Sequence, residues 1–276
     1  MNSAESPLPV VVGIDGSGAA IEAARWAAKE AVHQDVPLRL VHVIQTTDGP
    51  VAGTGAYLAE ENYAQSSLRA ACLAVKATGL PLKIDTAVLR EDVELALIAE
   101  SSSASMICLG SVGIGRVANM VLGSTAATLA EYARCPVAII RRTDDGPLPE
   151  AGFVAVVVED EPGNDEVIQC AMEEARVRRA PVLALRVGRW APRKAGDERF
   201  YRRLDGWLRR YPDVQVEVAT TRLRLARYLQ GYIGAVQLVV IGAEHANRAA
   251  QLVGPHSLPI FAHADCSVLI ARDQCQ

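Results

Sequence analysis

Val36-Pro37-Leu38-Arg39-Leu40-Val41-His42-Val43 returns 144 residues later as Ala180-Pro181-Val182-Leu183-Ala184-Leu185-Arg186-Val187. Each copy is a strand-sized apolar run entered through a proline. Each also follows a helix-like segment, ending in Lys29-Glu30-Ala31 in the first case and Glu173-Glu174-Ala175 in the second. Further on, Met106-Ile107-Cys108-Leu109-Gly110 matches Leu238-Val239-Val240-Ile241-Gly242, 132 residues apart. Arg134-Cys135-Pro136-Val137-Ala138-Ile139-Ile140-Arg141 matches Asp265-Cys266-Ser267-Val268-Leu269-Ile270-Ala271-Arg272, 131 apart. Solenoid repeats run to about 20–50 residues, so this period indicates a duplicated domain. The boundary is expected at Arg142 to Gly152, where Thr143-Asp144-Asp145-Gly146-Pro147-Leu148-Pro149 has linker composition. The domains are then residues 1–142 and 153–276.

Within the first half, strands are expected near Pro9 to Ile14, Leu38 to Ile44, Leu82 to Leu89, Ser105 to Gly110 and Val137 to Arg141. Between them, Ala19 to Gln34, Tyr57 to Thr78, Asp92 to Ser102 and Ser124 to Tyr132 are rich in Ala and Leu with charges three or four apart, which predicts helices. Runs such as Pro9-Val10-Val11-Val12 do not alternate, as befits parallel strands covered on both faces. Strand and helix in alternation give an α/β fold with a doubly wound parallel sheet, because each right-handed crossover lays its helix on a face. The second half repeats the scheme, with strands near Val154 to Val158, Val182 to Val187, Val214 to Ala219, Leu238 to Gly242 and Val268 to Ala271.

The 276 residues, 50% hydrophobic and 22% charged, are those of an ordinary folded chain, and at this length a single core tends to split in two. Net charge −4 argues against a protein built to coat nucleic acid. No leader pattern opens the chain and no 18-residue apolar run occurs, and the six cysteines form no C-x-x-C pair. A cytoplasmic protein with reduced thiols, and neither membrane nor nucleic acid as partner, is the expectation.

In an open parallel sheet, ligands sit beyond the carboxyl ends of the strands where strand order reverses. Two loops suit that place. Gly13-Ile14-Asp15-Gly16-Ser17-Gly18 sets an acid among glycines at a strand end, although taken alone it reads better as a tight turn capped by Ser17 or Asp15. Gly110-Ser111-Val112-Gly113-Ile114-Gly115-Arg116 follows the fourth strand and leads to Gly123-Ser124-Thr125, where a helix opens. Unobstructed amides and a helix N-terminus suit a polyphosphate. Gly110 to Val117 reads G-x-x-x-x-G-R-V, without the lysine and hydroxyl of a Walker loop, and the first turn lacks G-x-G-x-x-G. No G-x-S-x-G elbow occurs, and no catalytic triad can be assembled.

Gly110-x-x-Gly113, nine residues, then Gly123-Ser124 resembles the G-2x-G-9x-G-[ST] signature of the ATP-binding universal stress proteins. The Gly13-Ile14-Asp15-Gly16-Ser17 opening and His42-Val43 fit the same family. As a whole the chain resembles the tandem, two-domain members common in actinobacteria. The resemblance implies two doubly wound domains of the adenine nucleotide alpha hydrolase type, each a five-stranded parallel sheet of order 3-2-1-4-5, with ATP and Mg²⁺ held by the first. It also implies a stress-response role through nucleotide-dependent conformation or an unidentified protein partner, and a homodimer. Carried over, Asp15 approaches the nucleoside or its metal, and Val43 meets adenine with its backbone. Gly13, Gly110 and Gly113 leave space, while Gly123, Ser124 and Thr125 hold the phosphates. Val112 stands where some members have histidine. Arg116 could reach a phosphate or stay exposed. Binding without turnover is expected, with slow ATP hydrolysis, adenylyl transfer and a nucleotide-free interaction module as the alternatives.

The second half departs from the signature. Gly242-Ala243-Glu244-His245 is followed by eight residues and Gly254-Pro255-His256, and Glu159-Asp160-Glu161-Pro162 stands where Asp15-Gly16-Ser17-Gly18 would. Proline offers no amide hydrogen and carboxylates repel phosphate, so this domain is expected to bind ATP poorly. Its acids with His245 and His256 have no metal-ligand spacing and read as a solvated turn. Arg176 to Arg227 carries fifteen Lys and Arg against five Asp and Glu, and reads as a solvated helix face whose aromatics pack inward.

Overall fold

Val10, Val11 and Val12 are wholly buried, as a strand covered on both faces requires. They belong to β1 (Val10–Gly13), the central strand of the first of two compact units, Met1–Asp144 and Asp145–Asp273. The computed structural model describes residues 7–46, 54–113, 122–141, 152–159, 161, 163–187, 195–229, 231, 235–253 and 266–272.

In unit 1, β2 (Leu38–Ile44), β3 (Ile84–Arg90), β4 (Met106–Gly110) and β5 (Val137–Ile140) join β1 in a parallel sheet of order β3-β2-β1-β4-β5. Helices α1 (Gly18–Gln34), α2 (Gly55–Lys76), α3 (Val93–Ser101) and α4 (Ser124–Tyr132) make the crossovers. Alanines 19, 20, 23, 24, 27, 28 and 31 form the buried face of α1. Such small side chains let the helix axis lie close to the sheet. Side-chain oxygens of Ser17, Thr54 and Asp92 cap α1, α2 and α3 by accepting first-turn N–H groups.

Unit 2 repeats the plan. β6 (Phe153–Val157), β7 (Val182–Val187), β8 (Val216–Thr221), β9 (Val236–Gly242) and β10 (Ser267–Ala271) run parallel in the order β8-β7-β6-β9-β10. Its helices are α5 (Asn164–Arg178), α6 (Ala195–Arg210), α7 (Leu225–Leu229) and α8 (Ala249–Val253). The duplication reaches backbone detail. Asp35 and Arg179, 144 residues apart, both end their helices at positive φ, 53° and 50°. At that same offset Glu30 and Glu174 are both buried, Glu174 paired with Arg178 one turn on.

These are the two tandem doubly wound domains, five strands each in the order 3-2-1-4-5, that the repeat and the resemblance predict. Three strand starts differ by two residues, β9 opening early at Val236 where Leu238 is expected and two others opening late. β3 begins at Ile84 because the Leu82 N–H turns back to the Leu80 carbonyl, and β8 begins at Val216 because the Val214 N–H closes a turn on Tyr211. In α6, Phe200, Leu204 and Trp207 are buried, so two aromatics of the basic stretch pack inward, whereas Tyr201 is exposed, contrary to expectation, and Trp190 lies outside the described residues. Among the described residues no helix is long and apolar enough to cross a membrane. Five cysteines there are free, of which Cys108, Cys135 and Cys266 are buried.

Candidate functional site

In unit 1 the chain leaves β1 toward β2 on one side and returns with β4 on the other, so the carboxyl ends of β1 and β4 border a crevice. A cavity of about 410 Å³ opens there, within the size range of small-ligand sites. The structure brings Gly13, Asp15, Val43, Gly110, Gly113, Gly123, Ser124 and Thr125 together around it. Arg116 lies outside the described residues.

One wall is apolar, made by Val41, Val43 and Leu109 with Val93 and Leu97 of α3. Val43 adds polar groups by a simple parity. The Val41 carbonyl accepts the Ile14 N–H at 2.8 Å, just past the end of β1. Two residues on, the Val43 N–H and C=O point to the same side, where β1 has stopped, and therefore face the crevice. Such a donor and acceptor pair can read the edge of a heterocyclic base.

Asp15 stands two residues past the end of β1. Its Oδ1 accepts the Ser17 N–H at 2.9 Å, and the Ser17 hydroxyl accepts the Ala20 N–H at 3.1 Å, so both residues do serve the turn. The other oxygen, Oδ2, lies toward Gly113, 2.6 Å from where a Cβ on that glycine would stand. Gly16 holds φ 91°, which other residues rarely adopt, and lies under Tyr63 of α2. The Tyr63 hydroxyl donates to the Asp15 carbonyl at 3.0 Å, and its ring meets His42 edge to face at 5.9 Å. Burial pushes the His42 imidazole below its ordinary value, partly offset by the Ile14 carbonyl and the Asp15 and Glu61 carboxylates. Tyr63, Val93 and Leu97 are lining residues that the sequence pattern does not single out, whereas His42 belongs to the His42-Val43 pair that it does.

The glycines around the cavity differ in cause. A Cβ on Gly13 would meet Leu109 at 2.6 Å, and one on Gly110 would meet the Ala19 carbonyl carbon at 2.7 Å, so both are small for packing. Gly113 is small because Asp15 is beside it. Gly123 has no such neighbour, since the nearest atom to an added Cβ is 3.7 Å away. The Gly123 N–H donates to Ser111 at 2.9 Å, which draws together the ends of the long loop and sets Gly123 beside the Gly113 amide. Unlike α1, α2 and α3, α4 has no side-chain cap. Its first-turn N–H groups, with the positive end of the helix dipole, are left to the cavity.

At the same edge of unit 2 the protein's own side chains occupy the ground. Asn164, in the position of Ala20, donates through Nδ2 to the Val157 carbonyl at 3.0 Å and accepts the Glu159 N–H at 2.9 Å. The Glu244 carboxylate folds over Gly242, the counterpart of Gly110, and meets His245 Nδ1 at 3.0 Å. Among the described residues no group of three or more His, Cys, Asp or Glu could hold a metal, and Asp160 and His256 lie outside them. Asn164→Ala would leave the buried Val157 carbonyl and the Glu159 N–H unpaired, so the unfolding transition of unit 2 should lose about 1–3 kcal/mol in a urea titration. An unchanged midpoint would mean that the amide staples nothing.

Residues 8–141 match the model of the Universal stress protein family. The chain is 45% identical over 263 residues to universal stress protein Rv2624c of Mycobacterium tuberculosis, covering 95% of this chain and 96% of the relative. It is 35% identical over 280 residues to universal stress protein Rv2028c of the same organism, covering 99% of each. A universal stress protein from Archaeoglobus fulgidus superposes over 96% of both chains with a TM-score of 0.69 at 15% identity, a likeness of fold. With identity at that level over nearly its whole length, the chain belongs to the universal stress protein family.

Proposed function

We propose that unit 1 binds ATP, that unit 2 binds none, and that nucleotide binding, not turnover, regulates an encounter with a protein partner. The observation that carries this reading is Gly123. Its backbone needs no glycine, with φ −67° and ψ 151°, and no neighbour crowds it, yet the absent side chain keeps the uncapped start of α4 open. A triphosphate would accept hydrogen bonds from the Gly113 amide and from Ser124 and Thr125. Adenine would lie against Val93 and Leu97, its N1 and exocyclic amine facing the Val43 N–H and C=O.

Mg²⁺ fits the donor set. Asp15 is the one carboxylate among the described lining residues, and its Oδ2 lies toward Gly113. Magnesium commonly takes one or two carboxylates and completes its shell with phosphate oxygens and water. When bound, it would neutralise phosphate charge beside Asp15.

Calorimetric titration of the full chain with ATP and Mg²⁺ should give one site per chain, with GTP competing poorly because its carbonyl and N–H reverse the pattern that Val43 reads. Chromatography of the same mixture after incubation should recover the ATP intact. Two equivalent sites would place nucleotide in unit 2 as well. The absence of saturable binding would remove the proposal.

A further inference from the structure

The basic stretch of unit 2 puts Phe200 and Trp207 in the core, which leaves its arginines to be explained. On α6, Arg202, Gly206 and Arg210 follow at four-residue intervals, about 12 Å from first to last along the axis. They border a groove of about 510 Å³ against the first turns of α5. One side of the groove is fixed. The Trp207 indole N–H and Arg203 Nε both donate to Asp165 Oδ1, at 3.2 and 2.9 Å, and Arg203 Nη1 donates to the Glu159 carbonyl at 2.7 Å. The Arg210 guanidinium lies 4.9 Å over the Trp207 ring, which orients it. Asp165 is therefore answered within the protein, whereas Arg202 and Arg210 are exposed and have no carboxylate partner among the described residues.

Gly206 is an independent sign. Glycine is the poorest helix former apart from proline, and packing does not explain it here, since an added Cβ would meet nothing within 4 Å. It leaves a notch between the two arginines.

We infer that this groove docks an extended acidic segment of a partner protein, with two carboxylates four residues apart on Arg202 and Arg210 and the residue between them over Gly206. Four residues of extended chain span about 13 Å, which matches the arginine spacing. A nucleic acid fits less well. Trp207, the one aromatic among the described lining residues, is too buried to stack on bases.

Fluorescence anisotropy on the full chain tests this with a labelled peptide Ser-Glu-Thr-Val-Thr-Glu-Ser, its isomer with adjacent glutamates, and a single-stranded oligonucleotide. The first peptide should bind saturably and in preference to the other two. Arg202→Ala and Arg210→Ala should each weaken it about fivefold, in keeping with exposed charge pairs. Gly206→Leu should weaken it about tenfold by filling the notch while the melting temperature holds or rises. Arg227→Ala, an equal loss of exposed charge on α7, should stay within about twofold. Failure of the peptide to bind, an equal loss with Arg227→Ala, or equal affinity for the isomer or the oligonucleotide would each overturn the proposal.

Discussion

Gly113→Asp should lower the affinity of unit 1 for ATP by about a hundredfold or more while leaving its unfolding transition in place. Gly113 is exposed and is not among the glycines at positive φ, so the fold asks nothing special of its backbone. An added Cβ would stand 2.6 Å from Oδ2 of Asp15, so any side chain there makes the Asp15 carboxylate shift. An aspartate there must displace Asp15 and adds a second negative charge where a triphosphate is to pass. Like charges about 4 Å apart near a protein surface repel by roughly 4 kcal/mol before salt screening, and 2.7 kcal/mol is already about a hundredfold. Gly113→Ala introduces the collision without the charge and should fall between. Calorimetry with ATP and Mg²⁺, read beside a thermal melt, separates loss of ligand from loss of fold. Unchanged affinity in a folded Gly113→Asp protein would mean that the phosphates do not run past this loop.

The architecture was legible because it was written twice. Non-alternating runs such as Val10-Val11-Val12 fix buried parallel strands, and a period beyond 130 residues fixes duplication. The loops were legible because glycine and serine spacing is local, and the structure gathers Asp15, Gly113 and Gly123 around one cavity. Tyr63, Val93 and Leu97 were not, for a physical reason. Their places at the cavity come from how α2 and α3 dock on the sheet, and on those helices a tyrosine, a valine or a leucine reads as ordinary covering residue. The causes of the glycines were hidden as well. Gly110 and Gly113 look alike in the motif, yet one is small for a helix backbone and the other for a carboxylate.

That difference gives Gly110→Val the largest expected effect on stability. Its Cβ would stand 2.7 Å from the Ala19 carbonyl carbon, 2.8 Å from Ala19 Cβ and 2.9 Å from the Ala20 nitrogen. None of these can swing aside. They belong to the first turn of α1, whose alanine face is buried along its length. Overpacking a core by such an amount costs about 1–3 kcal/mol and at times more. For a unit of this size that lowers the melting temperature by about 2–4 °C per kcal/mol, a fall approaching 10 °C. Gly242→Val, the same exchange at the matching position of unit 2, should be far milder. There the added Cβ meets the carboxylate of Glu244, whose side chain is 59% exposed and free to rotate away. Calorimetric scans of the two variants against the parent read both effects at once. Equal shifts would mean that the glycine closing the fourth strand of each unit answers to the strand itself, and that the close approach of α1 to Gly110 is not what keeps a side chain out.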